Sequence, residues 1–203
     1  RKRDRVAAVG IRVREEMAPG SSSEMITQWR MDQPVTFATF GVGSLERHDE
    51  TIPIPGGSLP VAFYSLPGRL MPIKEDFILA ELNNCLRYFI AFFGPYPYPS
   101  FSGMYHPRGF GQGFATMLLL PKSDRAFKTT YAFIAHETSH QWWGNIVAWR
   151  SYRDQWLSEG FAEYSGVLYT RQRDSVDSEQ DLVRRLRRDL IVPPVTELGI
   201  GTG

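Results

Sequence analysis

Two histidines four residues apart, with a glutamate next to the first, carry the strongest chemical signal in the chain. His136, Glu137 and His140 form the pattern H-E-x-x-H. Because residues four apart share a helical face, both imidazoles can reach one metal ion, and Glu137 lies beside them as a candidate general base. Eighteen residues separate His140 from Glu159, which can return from the next helix as a third ligand. Since catalytic zinc favours three protein ligands such as His2Glu, the sequence predicts one Zn²⁺ site built from these residues.

The residues around this motif favour a metal site over its alternative, a solvated amphipathic helix. The apolar run Tyr131–Ala135 leads into the motif, Trp142 and Trp143 follow it, and Gly144-Asn145 can end the helix. A polar motif embedded in so apolar a helix is costly to bury without a metal or hydrogen-bonding partners.

Two further polar residues are candidates to support the metal ligands. A ligating histidine usually donates its other ring nitrogen to a carboxylate or a carbonyl. Glu163 follows Glu159 by one helical turn, so it could orient a zinc-bound histidine or pair with a surface arginine. Asn145 could cap the zinc helix or support the site.

Together, H-E-T-S-H-Q-W-W-G-N at 136–145, the spacing to Glu159, and W-L-S-E-G-F-A-E-Y at 156–164 resemble the M1 family of zinc metallopeptidases. That family includes aminopeptidase N and leukotriene A4 hydrolase, and a weaker similarity covers about residues 31–99. The resemblance implies zinc ligation by His136, His140 and Glu159, with Glu137 as base and proton shuttle on a peptide substrate. It also implies an α+β fold, in which a thermolysin-like zincin catalytic subdomain follows the tail of a β-rich domain.

One departure from the family pattern concerns the substrate's amino group. M1 aminopeptidases carry a G-x-M-E-N strand whose glutamate binds the free amine. The corresponding stretch here, 111–121, contains no acid, and no Asp or Glu occurs from Leu82 to Ser123. A cationic amine needs a charged or strongly polar acceptor when it leaves water. The sequence therefore does not support strict aminopeptidase specificity.

A second departure concerns the tyrosine that the family uses, later in a helical domain, to stabilise the oxyanion. No tyrosine follows Tyr169 in this chain. Losing one oxyanion donor typically lowers the rate by about 10²–10³. We therefore expect the chain as given to hold the metal site and to lack part of the catalytic machinery.

The segment before the zinc helix is the candidate substrate-binding strand. Residues 100–120 should include strands, and in zinc peptidases of this architecture an edge strand pairs with an extended substrate. The glycines of Gly111-Gln112-Gly113 would let a substrate backbone approach closely, and the alternative is a plain loop. The predicted substrate contacts are Gln112, Gly113, Phe114 and Ala115.

Alternation of apolar residues predicts strands at 5–14, 27–31, 35–42 and 58–65. Helical spacing predicts helices at 71–93, 128–143, 154–173 and 179–190, the last ended by Pro193-Pro194. With a boundary at Pro67-Gly68, residues 1–66 would be the C-terminal part of a β-rich domain. Residues 67–203 would then be the zinc-binding catalytic domain, truncated at its C-terminus.

Composition limits the partners of the chain. Its 203 residues carry a net charge of +1, so no global field attracts nucleic acid, and the basic clusters at 1–3 and 184–188 are read as a frayed end and a solvated helix face. The single cysteine, Cys85, excludes an internal disulfide and is expected to be buried. No apolar run reaches the roughly 20 residues that span a bilayer. Oligomeric state and cellular location do not follow from the sequence.

Two other functions are compatible with the metal motif. One is hydrolysis of a non-peptide electrophile, in the manner of an epoxide hydrolase, and the other is a zinc-bearing module without catalysis. The presence of Glu137 argues against the second, because a structural zinc site needs no base beside its ligands and usually closes the fourth position with Cys or His.

Overall fold

A computed structural model describes residues 4–67, 73–121 and 130–191. Its strands are β1 (Arg5–Ala8), β2 (Ile11–Met17), β3 (Met25–Arg30), β4 (Phe40–Gly43), β5 (Glu46–Ile54), β6 (Gly57–Ser65), β7 (Phe101–His106), β8 (Gln112–Phe114) and β9 (Met117–Pro121). Its helices are α1 (Glu75–Phe93), α2 (Thr130–Ser139), α3 (Gln155–Arg173) and α4 (Val176–Ile191), and a 3-10 turn (Tyr152–Asp154) precedes α3. Strands and helices are thus mixed, and no helix of these ranges is long and apolar enough to cross a membrane.

The N-terminal strands form two antiparallel pairs, β1 with β4 and β2 with β3. The single strand predicted at 5–14 is wrong, because the extended structure is interrupted at Gly10, where φ is +96°. A Cβ at Gly10 would lie 2.3 Å from the carbonyl oxygen of Arg30, so only glycine fits this crossing. The strand predicted at 35–42 is also mostly wrong, since regular pairing begins only at Phe40.

A five-stranded mixed sheet in the order β5-β6-β7-β9-β8 supports the rest of the structure. The central pairs β6–β7 and β7–β9 are parallel, while β5–β6 and β8–β9 are antiparallel. Strand β8 therefore lies at one edge of the sheet. The sheet joins strands from both sides of residue 66, so it does not end at the predicted domain boundary.

Helix α1 covers this sheet with the apolar stripe that its sequence predicts. Leu82, Leu86 and Phe89 are fully buried together with Phe63 of β6, and Cys85 is buried among them as expected. The helix ends at Gly94, whose N–H bonds to the carbonyl of Ile90 and whose φ is +101°. The predicted Gly-Pro stop is therefore confirmed.

Helices α2 and α3 place the predicted metal ligands. The last regular residue of α2 is Ser139, earlier than predicted, because the chain tightens into turns whose N–H groups bond back to Thr138 and Ser139. These turns end at Gly144, where φ is +105°. Helix α3 ends at Arg173 as predicted, and α4 begins three residues earlier than expected, at Val176. The predictions for residues 1–3, Gly68, the starts of the first two helices and Pro193-Pro194 lie outside the described residues.

An ion pair between the buried Glu81 and the partly exposed Arg173 fixes α3 against α1. Glu81 is 2% exposed, and its carboxylate accepts hydrogen bonds from the Tyr169 hydroxyl at 2.7 Å and from Arg173 at 2.8 and 2.9 Å. Arg173 also lies over the ring of Tyr131, 4.8 Å from its centroid. One charged group of α1 is therefore satisfied almost entirely by α3.

Replacing Arg173 should destabilise the fold strongly. Arg173→Met leaves the Glu81 carboxylate buried without its cation, and breaking such a pair costs about 3–5 kcal/mol. Arg171→Met is the matched control, because the exposed Arg171 contacts Glu179 only at 3.8 Å and such pairs contribute at most about 1 kcal/mol. Urea denaturation measures both variants, and equal losses of unfolding free energy would contradict this role of Arg173.

Candidate metal centre

The structure brings the three predicted ligands to one point. The Glu159 Oε2 atom lies 3.5 Å from His136 Nε2 and 3.6 Å from His140 Nε2, and the three ligand atoms lie within 4.8 Å of one another. Zinc bonds of about 2.0–2.1 Å in a tetrahedron place neighbouring ligand atoms about 3.4 Å apart. The donor set and its spacing therefore fit one Zn²⁺ ion.

Both imidazoles are oriented through their second nitrogen. His136 Nδ1 lies 2.9 Å from Glu163 Oε2, and His140 Nδ1 lies 2.8 Å from the carbonyl oxygen of Trp143. Because these oxygens act as acceptors, each Nδ1 carries the proton, and in a neutral ring Nε2 keeps its lone pair for a metal. Glu163 lies where a supporting residue is needed, whereas Asn145 acts through the backbone, donating to the carbonyls of His140 and Gly113.

The titration of these groups reflects their mutual contact. Contact with the imidazoles of His136 and His140, whose Nε2 atoms lie 3.5 and 3.6 Å from its carboxylate, holds the pKa of Glu159 well below its ordinary value. Burial acts to lower the pKa of His136, but Glu159 and Glu163 outweigh it and raise that pKa to about 9. The two carboxylates thus favour a positive charge at this point, either a proton on His136 or a divalent cation. The two exclude each other, since a ligating imidazole must be neutral.

Glu137 points toward strand β8. Its side chain is almost fully buried, and burial raises its pKa, while the two neighbouring imidazoles act in the opposite direction. The nearby backbone N–H of Gly113 also acts to lower this pKa. A Cβ at Gly111 would lie 2.6 Å from Glu137 Oε1, so a side chain there would displace the carboxylate.

The four predicted substrate contacts have different environments. Gln112 is exposed and Phe114 is half-buried, and both line a cavity of about 310 Å³ that also contacts His140 and Glu159. Gly113 is buried, its carbonyl accepts a hydrogen bond from Asn145, and its Cα packs against Glu137 and His140. Ala115 is completely buried, so the structure does not support substrate contact there.

Several aromatic side chains surround the site. The cavity is also lined by Trp149, Phe37 and Gln155, which the motif did not point to. Tyr152 is 82% exposed and does not pack into the core. By contrast, Trp142 and Trp143 pack against aromatic rings of α1 and α3.

Two histidines away from the site, His48 in β5 and His106 in β7, both have structural partners. His48 contacts the hydroxyl of Ser65 at 2.9 Å, and His106 contacts the carbonyl of Phe110 at 2.6 Å. Neither histidine is part of the metal-ligand group found in the described ranges.

Comparison with known proteins gives consistent results. Residues 92–191 match the model of the peptidase family M1 domain. The chain is similar to human endoplasmic reticulum aminopeptidase 1, at 27% identity over 156 residues that cover 70% of this chain and 16% of that protein. It is also similar to human aminopeptidase B, at 28% identity over 148 residues that cover 57% of this chain and 22% of that protein.

Solved structures extend this similarity to the fold. An M1 zinc metallopeptidase from Deinococcus radiodurans matches with a TM-score of 0.76 and 24% identity, covering 95% of this chain and 43% of that one. A mutant bound to a Tyr-Ser-Ala substrate matches with a TM-score of 0.72 and 22% identity, over 95% of this chain and 43% of that one. At these identities the likeness establishes the fold, and this chain spans less than half of each solved chain.

Removing the negative charge of the acceptor for His136 Nδ1 should weaken zinc binding without abolishing it. Glu163→Gln keeps the size of the side chain but replaces the anion, and changes of this kind lower metal affinity by about 10–100-fold. Competition with a zinc chelator measures the affinity, with Glu179→Gln on α4 as the control. Equal zinc affinity in Glu163→Gln and the unmutated chain would show that Glu163 is a surface residue without influence on the site.

Proposed function

Because the chain belongs to peptidase family M1, we propose that it carries the centre of a zinc-dependent peptide hydrolase. The observation that supports this most directly is the convergence of His136, His140 and Glu159, with Glu137 buried beside them. The relatives are named as aminopeptidases and zinc metallopeptidases, which favours peptide bonds over epoxides or a non-catalytic role.

In this proposal His136, His140 and Glu159 hold one zinc ion. Such an ion supplies a Lewis acid that polarises the scissile carbonyl and makes a water molecule more acidic. Glu163 and the Trp143 carbonyl hold the two imidazoles in the tautomer that leaves each Nε2 available. The thermolysin-like arrangement of helix, edge strand and third ligand is part of this proposal.

Glu137 would act as the general base. One carboxylate oxygen takes the proton of the attacking water as the water oxygen bonds to the scissile carbon. The same group then gives the proton to the leaving nitrogen as the carbon–nitrogen bond breaks. Burial raises the pKa of Glu137, which makes the protonated state easier to reach during this cycle, and the close approach of Gly111 limits where the carboxylate can lie.

The substrate would lie along the outer edge of β8. Because the Gly113 carbonyl is bonded to Asn145 and Gly113 packs against Glu137, we expect backbone pairing near Gly111 and Gln112, with Phe114 forming part of the cavity wall. Among the described residues, Glu159 is the only carboxylate in the lining of this cavity, and the proposed metal site uses it. We therefore propose a peptidase whose substrates need not carry a free amino group.

The proposal is tested by Glu137→Gln, an exchange that removes the base and retains the shape of the side chain. The zinc content should stay at one ion per chain while kcat falls by about 10²–10⁴-fold, the usual contribution of general acid–base catalysis. Hydrolysis of fluorogenic peptides measures kcat, and full activity of the zinc-loaded variant would contradict the mechanism.

The same assay should compare matched substrates with free and acetylated amino termini, together with an epoxide. We expect the two peptides to differ in kcat/KM by less than about tenfold. A larger difference would require an ionic contact between the protein and the free amino group, which acetylation removes. Gln172→Ala serves as the control variant, because Gln172 is exposed on α3 and lies outside the cavity lining. It should leave kcat/KM for both peptides unchanged. Strict dependence on the free amine would refute the proposed specificity, and turnover of the epoxide alone would refute peptide hydrolysis.

A further inference from the structure

Gln141 occupies a buried position between the end of the metal-binding helix and the β8–β9 hairpin. Its side chain is 0% exposed. Its Oε1 accepts hydrogen bonds from the backbone N–H of Thr116 at 2.9 Å and the hydroxyl of Tyr96 at 3.2 Å. Its Nε2 donates to the carbonyl of Phe114 at 2.7 Å. One side chain thus satisfies two backbone groups at the corner of the hairpin.

The same corner is held from its other side through Thr116. This residue has φ of +63°, a conformation that β-branched residues rarely adopt. Its Oγ1 accepts a hydrogen bond from Gly10 N–H at 2.7 Å, and its carbonyl accepts one from Ser102 N–H at 2.8 Å. A strained conformation of this kind persists only where the surroundings fix it, and such residues often lie at functional sites.

The hairpin carries the surface on which the Glu137 carboxylate rests. The carboxylate lies against Gly111 at the start of the hairpin, where a Cβ would lie 2.6 Å from Glu137 Oε1. A Cβ at Gly113 would lie 2.5 Å from the carbonyl oxygen of Glu137 and 2.8 Å from the Cβ of His140, so strand and helix are in direct contact. A shift of the hairpin would therefore move the surface against which the Glu137 carboxylate packs.

We propose that Gln141 and Thr116 are positioning residues for Glu137. They fix the β8–β9 hairpin against the metal-binding helix, and the hairpin in turn confines the carboxylate through its close contact at Gly111 and Gly113. Their side chains bond to the protein scaffold rather than to the proposed ligands. This inference rests on the proposed function, in which Glu137 is the base.

The first test is Gln141→Met, which keeps the length of the side chain and removes its hydrogen bonds. Zinc content should remain at one ion per chain, while kcat falls by about 10–100-fold, since a misplacement of about 1 Å can cost 10²-fold in rate. KM should stay within about twofold, because the loss concerns the transition state rather than substrate binding. Hydrogen exchange should show faster exchange of the Thr116 amide.

The matched control is Tyr105→Phe, in strand β7 of the same sheet. It removes a single hydrogen bond, which the hydroxyl of Tyr105 donates to the carbonyl of Ile73. It should lower stability while leaving kcat unchanged, which separates positioning from general destabilisation. An unchanged kcat in zinc-loaded Gln141→Met would overturn the proposal. Unchanged exchange of the Thr116 amide would also overturn it, without reference to activity.

A second pair of variants decides the question if Gln141→Met loses zinc or fails to fold. Thr116→Val removes only the hydroxyl that Gly10 uses and should lower kcat by about fivefold, while Thr116→Ser should restore it, because a buried donor left unpaired is costly. Equal kcat in the two variants would overturn the proposal. If the unmutated, zinc-loaded protein hydrolyses no peptide, the proposed function fails instead, and the exchange measurement still tests the hairpin contact.

Discussion

The site depends on how closely α2 and α3 approach each other. A Cβ at Gly166 would lie 2.9 Å from the carbonyl oxygen of Ala132 and 3.7 Å from the Cβ of His136, so a larger residue would separate the helices. At the observed distance, Glu159 and Glu163 both reach the imidazole of His136, one at each ring nitrogen. The coordination geometry is therefore set by helix packing as much as by the ligands themselves.

This packing concentrates charge where little water remains. Glu137 is buried, and the imidazole of His140 is nearly so, which would be unfavourable for isolated groups. The cost is offset by pairing, since each imidazole meets a carboxylate or a carbonyl and the two imidazoles favour the charged form of Glu137. A divalent cation would add to this pairing by neutralising the two carboxylates that face it.

The sequence predicted the parts of the site that follow from local periodicity. His136 and His140 share a face because they are four residues apart, and Glu163 follows Glu159 by one turn, so one helix determines each pair. The role of Gln141 was not predictable, because its partners Phe114 and Thr116 lie more than 20 residues away in the chain and no local pattern records them.

The same distinction applies to the fold. The helix 75–93 follows from its apolar stripe and its Gly-Pro stop, which are local features. The break at Gly10 follows from its contact with Arg30, and the short strand β4 follows from its pairing with β1, both of which are set by tertiary structure. The fully buried state of Ala115 likewise reflects the sheet that surrounds it rather than its own sequence context.

The most direct test of this account is the zinc content of the purified chain, measured beside that of Glu159→Ala. If His136, His140 and Glu159 are the ligands, the chain binds one zinc ion, and the variant loses it or binds it far more weakly. The reason is that two imidazoles alone leave the site a ligand short. Absence of zinc from the unmutated chain after metal is added, or equal binding by the variant, would contradict the assignment of His136, His140 and Glu159 as ligands.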